Sequence, residues 1–129
     1  MKTLTYRDAA RELLSKAFVE LEAGDVRQAS EKGWGAAAQM VKALAEARGW
    51  KHDSHAALFN AIDRIVLETG DKPIRTRFAM ASSLHQNFYE NWRSEAYVLD
   101  GLIEVRNFLD GLEPLLNGGF LKDREGGGV

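Results

Sequence analysis

Apolar residues return every three or four positions along most of this chain, and polar residues fill the intervals. The first such stripe is Ala10, Leu13, Leu14, Ala17, Phe18 and Leu21, one face of a helix. Thr5 is placed to cap it. Gly24 is placed to end it, because glycine enters the left-handed conformation at little cost. Asp25, with Gln28 three residues on, opens a second helix that runs to about Arg48. Its inward positions are Val26, Ala29, Gly33, Ala37, Met40, Val41 and Leu44. Gln28, Glu31, Lys32, Gln39, Lys42 and Glu46 make its polar face. Glycine inside a helix costs about 1 kcal/mol relative to alanine. Gly33 and Gly35 therefore imply that another helix comes close, with Trp34 filling the space beside the contact.

Residues 49–53 read as a turn, and Ser54 caps a third helix with Leu58, Phe59, Ile62, Ile65 and Val66 inward. Gly70 stops it. Pro73 suits the first turn of a fourth helix, where its missing N–H is not needed. The fourth stripe is Ile74, Phe78, Ala81, Leu84 and Phe88. Ser94 caps a fifth helix with Val98, Leu102, Val105, Leu109 and Leu112 inward. Pro114 predicts a kink or stop at Glu113. No segment alternates like a strand. The expected fold is all-α, an antiparallel up-down bundle of about five helices. Residues 1–117 form one expected domain, and the glycine-rich residues 118–129 a flexible tail.

The formal charge of -2 lacks the strong basic excess of most nucleic-acid-binding domains, so such a partner would need a local cationic patch. The absence of cysteine removes disulfides, thiolate metal sites and a cysteine nucleophile. The N-terminus does not read as a signal peptide, and no apolar run approaches the roughly 20 residues needed to span a membrane. A cytoplasmic location is expected.

Four segments carry a family resemblance: ARELLSKAFVELEAGD at 10–25, QASEKGWGAAAQMVKALA at 28–45, Ser54-His55, and LHQNFYENW at 84–92. Together they resemble the PaREP family of archaeal proteins, which look like members of the HEPN superfamily, over roughly residues 5–110. The resemblance implies a helical bundle, often dimeric. It also implies a relation to toxins that cut RNA without metal, or to partners of small nucleotidyltransferases. The ribonuclease members carry an Arg, a polar residue and a His a few positions later. Here Arg106-Asn107 opens that pattern, but no histidine follows. Arg77 and His85 are too far apart. Arg48 and His55 match in spacing, with a predicted turn between them.

The candidate chemistry is sparse. His52 and His55 suggest a metal pair, but no third or fourth ligand is evident, so neither metal nor cofactor is expected. His85, Tyr89 and Arg93 follow one another at single helical turns and are the candidate catalytic set if the chain is an enzyme. An up-down topology would bring the 49–54 and 91–94 turns to one end. That end would gather Arg48, Trp50, Lys51, His52, His55, Trp92 and Arg93, cations and rings suited to a nucleotide. Lys72, Arg75 and Arg77 would oppose the dipole at the start of the fourth helix. A partner, or acidic neighbours such as Asp25 or Asp71, is expected to offset them. Glu31 and Lys32 look like a family-like polar pair, and periodicity places them on a solvated face. The leading reading is a HEPN-like binding or interaction module, a homodimer with nucleotide or RNA as its candidate ligand. The alternatives are a metal-independent ribonuclease built around His85 and a structural partner of a nucleotidyltransferase-type antitoxin.

Overall fold

Small residues on the second helix decide the architecture. A computed structural model describes residues 2–90 and 94–116, with the backbone alone for 87–90. The expected tail and the 91–93 part of the expected turn lie outside these residues. Five α-helices follow in order: α1 (Lys2–Glu22), α2 (Val26–Arg48), α3 (His55–Thr69), α4 (Pro73–Glu90) and α5 (Glu95–Leu112). A 3-10 turn at Glu113–Leu116 follows α5. There is no strand among the described residues, and no described helix is long and apolar enough to cross a membrane.

Most boundaries follow the expected caps. Asp25, Ser54 and Ser94 each accept a hydrogen bond from the backbone N–H three residues on, worth about 1 kcal/mol per cap. Gly24, Gly49 and Gly70 take positive φ where α1, α2 and α3 end. The α-helical path stops at Leu112, just before Pro114. One cap is corrected. Thr5 lies inside α1, which begins at Lys2. The apolar stripe starts at Ala10, so periodicity gave no sign of the two earlier turns.

Most core-stripe positions are buried, Leu13, Phe18, Val26 and Phe59 are partly so, the Phe88 side chain lies outside the described residues, and α2 is more enclosed than its pattern suggested. Besides the expected Ala29, Gly33, Ala37, Met40, Val41 and Leu44, the structure buries Trp34, Ala36, Ala38, Ala43 and Ala45. Alanine carries no strong inside-or-outside signal, so those positions were not legible as core. α2 packs against all four other helices. Leu84 of α4 and Leu102 of α5 meet at Gly33. A Cβ on Gly33 would lie 2.5 Å from Leu102 Cδ2 and 3.2 Å from Leu84 Cδ1. Gly35 faces α1 in the same way, with Leu13 Cδ1 3.3 Å from the position of a Cβ. Both glycines thus have the close neighbour that their helix penalty requires.

Specific contacts set the helix directions. Lys32 bonds Glu20 at 2.7 Å, and Tyr6 meets His52 beyond the far end of α2, so α1 and α2 are antiparallel. Leu84 lies against Gly101 and Phe78 against Phe108, so α4 and α5 are antiparallel. α3 is the exception. Its first residue, His55, packs on Trp34 in the middle of α2, and its penultimate residue, Glu68, pairs with Arg48 at the end of α2. α3 therefore runs in the same sense as α2. Residues 49–54 are not a tight turn but an extended return along α2. Six residues reach about 20 Å, the rise of some fourteen helical residues.

The expected offsets for the α4 cations are also corrected. Arg75 pairs with Asp63 of α3 at 2.9 Å, and Arg77 with Glu104 of α5 at 3.4 Å. These partners come from neighbouring helices, which local sequence does not reveal. Arg11 joins α1 to α5 through Asp110 and Glu113 at 2.9 and 2.7 Å. Burial acts to lower its pKa, but the hydrogen bonds it donates to the Glu113 and Asp110 carboxylates, and their negative charge, outweigh this and raise it.

Gly33→Leu is expected to destabilise the fold by about 3 kcal/mol or more, because Leu102 and Leu84 are fully buried and have nowhere to move. Chemical denaturation measures this. A midpoint equal to that of wild type would show that the three helices do not meet there.

Candidate functional site

The return of the chain from α2 to α3 builds the site. Gly49 turns out of α2 with φ 73°, and the Trp50 N–H closes on the Ala45 carbonyl at 2.8 Å. The chain then runs back beside α2 until Ser54 starts α3. The residues expected to share one end of the bundle are spread along this return.

Arg48 serves the framework. Its side chain is 5% exposed, donates to both Glu68 carboxylate oxygens at 3.1–3.2 Å and reaches the Leu115 carbonyl at 3.4 Å. It ties the ends of α2 and α3 to the 3-10 turn. Trp50 packs partly into the core, with the Arg64 guanidinium 4.5 Å from its ring centre. Lys51 is exposed. Trp50, Lys51, Asp53, Asn60 and Arg64 line an open pocket of about 400 Å³. Neither Lys51 nor Arg64 has a carboxylate partner among the described residues.

The other side of the return forms a second, smaller pocket. Trp34, Ala38 and Lys42 stand at successive turns of one α2 stripe. With His52, Asp53 and His55 they enclose about 290 Å³. His52 leans away along the stripe, its Nε2 2.9 Å from Glu46 Oε1. Asp53 and Ser54 line both pockets, so the return is their common wall.

Past His55 lies a third cluster. His85 Nδ1 is 2.8 Å from Glu31 Oε1. The His85 ring is 5.7 Å from the His55 ring, and both pack against the buried Trp34 at 5.9 and 5.2 Å. This corrects the solvated reading of Glu31 and Lys32. Both are half-buried, Glu31 on His85 and Lys32 on Glu20. His52 and His55 go to different neighbours, and no group of three potential ligands gathers around a metal position among the described residues. The side chain of Tyr89, and all of Trp92 and Arg93, lie outside the described residues.

The roles of four participants escaped sequence reasoning. Asn60 and Arg64 are one turn apart on α3, a signal that was present but not distinguishable from an ordinary solvated face. Lys42 and Glu31 gain their neighbours only through the reversal of α3 and the approach of α4.

The divided roles of the cations are testable. Arg48→Ala is expected to lower stability by about 2 kcal/mol, since it strips a buried charged donor from three acceptors. Lys51→Ala should change stability by no more than about 0.5 kcal/mol, as an exposed side chain with no ion pair among the described residues. Equal effects in urea denaturation would contradict this division.

No curated protein matches this chain significantly. The sequence pattern of the archaeal PaREP1/PaREP8 family, however, matches residues 5–109, from the first turn of α1 to near the end of α5. That span contains both pockets and the Glu31–His85 pair, so the site described here lies within the matched region. The chain belongs to the archaeal PaREP1/PaREP8 family.

Proposed function

We propose that this chain is a HEPN-like binding module that works as a homodimer and holds a nucleotide or RNA by its phosphates at the Trp50–Arg64 pocket. The observation that carries this reading is the Arg64 guanidinium resting over the Trp50 ring beside Lys51, with no carboxylate among the described residues pairing with either cation. Stacking restricts the guanidinium without using its N–H edge. A planar donor held in this way suits the paired oxygens of a phosphate. Lys51 adds a second charge on a flexible stem, and Asn60 adds an amide. Asp53 at the wall between the pockets limits how much negative charge can settle there.

The HEPN-like assignment draws its support from the sequence resemblance and from the five-helix bundle. Binding is measured with fluorescent single-stranded RNA across a salt series. Lys51→Ala with Arg64→Ala should weaken binding at least about tenfold and flatten the salt dependence by about 1.4 in logarithmic slope, the loss of two phosphate contacts. Asp53→Asn should strengthen binding. Equal affinity and slope in wild type and the double variant would remove this reading.

The Glu31–His85 bond favours a second reading, a metal-independent ribonuclease. A carboxylate on Nδ1 fixes the tautomer and orientation of an imidazole, as a base-orienting group does. Under this reading, RNA cleavage by the wild type survives a chelator and disappears in His85→Ala at an unchanged melting temperature. Glu31→Gln retains part of it. A wild type that leaves RNA intact over long incubation would eliminate the catalytic reading and leave the binding module standing.

A further inference from the structure

The Lys51–Arg64 pocket and the smaller pocket beside α2 share one wall. Asp53 and Ser54 line both. Both residues are exposed, so the wall stands open to solvent and a flexible ligand can cross it. A ligand that fills one pocket against this wall touches residues that also bound the other.

The smaller pocket has a cation of its own. Lys42 is half-buried in its lining and has no ion pair among the described residues. His55 brings a ring to the same pocket, exposed and backed by Trp34 at 5.2 Å. An exposed ring on a packed backing suits a stacked base.

The wall carries the opposite charge. Asp53 has no ion pair among the described residues. The order across the wall is therefore cation, carboxylate, cation: Lys51 with Arg64, then Asp53, then Lys42. It is compact. Lys51 and Asp53 are two residues apart, at most about 7 Å along the chain, and Asp53 and Lys42 line one cavity of about 290 Å³. A carboxylate repels phosphate and accepts hydrogen bonds. One ligand that fits this order has an anion at each end and a hydrogen-bond donor between them. An RNA strand repeats that order in every unit, since a ribose 2′-hydroxyl lies between consecutive phosphates. DNA has the phosphates without the hydroxyl. A nucleoside diphosphate or triphosphate has its anions side by side, with no donor between them.

We infer that the ligand is an RNA strand crossing the Asp53–Ser54 wall, with one phosphate on Lys51 and Arg64 and the next on Lys42. Asp53 accepts the 2′-hydroxyl of the ribose between them and so selects RNA over DNA. This rests on the phosphate-binding reading above, and adds a second phosphate position and the residue that sets sugar specificity. Asp53 then has two opposed effects. Its charge weakens the binding of any phosphate strand, and its hydrogen bond offsets part of that only where a 2′-hydroxyl is present. An asparagine at this position keeps an acceptor oxygen without the charge.

The test uses the full chain with a fluorescent uridine tetranucleotide and its 2′-deoxy counterpart, each titrated across the same salt series. Wild type should bind the RNA roughly fivefold more tightly than the DNA, the scale of one hydrogen bond. Asp53→Ala should bring that ratio to about one. Asp53→Asn should tighten the binding of both strands and keep part of the preference. Lys42→Ala should flatten the salt dependence for RNA by about 0.7 in logarithmic slope, the loss of one phosphate contact. Lys42→Gln removes the charge but keeps most of the stem, and is read instead if melting curves show that the alanine variant is unfolded. Equal binding of RNA and DNA by wild type, or a preference that survives Asp53→Ala, would overturn the inference. An unchanged slope in the folded Lys42 variant would do the same. The phosphate-binding reading survives any of these results if Lys51→Ala with Arg64→Ala still weakens binding, and both fall if that double variant binds like wild type.

Discussion

The fold depends on how closely three helices can approach around Leu84. This side chain of α4 fits between two glycines, Gly33 of α2 and Gly101 of α5, and any Cβ at either position would press on it. Leu102 closes the same contact from α5. Two glycines inside helices are unfavourable by about 1 kcal/mol each, so the packing they permit must outweigh that. With α4 and α5 drawn onto α2, and α1 brought close at Gly35, α2 becomes the central element. Its alanines then follow from geometry. At short interaxial distances there is no room for larger side chains on so many faces.

Enclosure of α2 has a consequence for chemistry. Few of its positions remain where a polar side chain can stand, and several of these lie near α3, α4 or the return at residues 49–54. Glu31, Lys42 and Glu46 are among them, and each lies beside a histidine or lines a pocket with one. The polar cluster is therefore a by-product of the central helix as much as of α3. The return at residues 49–54 completes it. Had this been a tight turn, α3 would have run antiparallel to α2 with His55 near Arg48. The return instead carries His55 to Trp34, while Arg48 stays beside Glu68 and the Trp50 ring, 5.7 Å from its centre.

Sequence reading recovered what is local and missed what is directional. Caps at Asp25, Ser54 and Ser94, glycine stops and core stripes are set by interactions within a few residues, and the sequence states them directly. Gly33 was legible because a glycine inside a strong helical stripe demands a reason. Gly101 was not, because it falls between the expected inward positions Val98 and Leu102 rather than on the stripe itself. The direction of α3 was hidden because a six-residue connection is compatible with a tight reversal or an extended return, and composition does not separate them. The Glu31–His85 pair was hidden for a related reason. It joins residues 54 apart through the α2–α4 contact, and a glutamate on a polar stripe looks the same whether it faces water or an imidazole.

The arrangement also separates two kinds of surface. α3 packs on α2 and α4, while α1 packs on α2 and α5. The cationic pocket is built on α3 and the return. An acid-edged apolar groove is built on α1 and α5. Because the two sets of lining residues share no member, occupation of one does not sterically compete with occupation of the other. Charge separates them as well, with the cations Lys51 and Arg64 lining the first and the carboxylates Glu22 and Glu95 lining the second. A small chain with a net charge near zero can in this way present a basic face to one partner and an acidic face to another. The enclosed central helix packs against the elements that carry both faces.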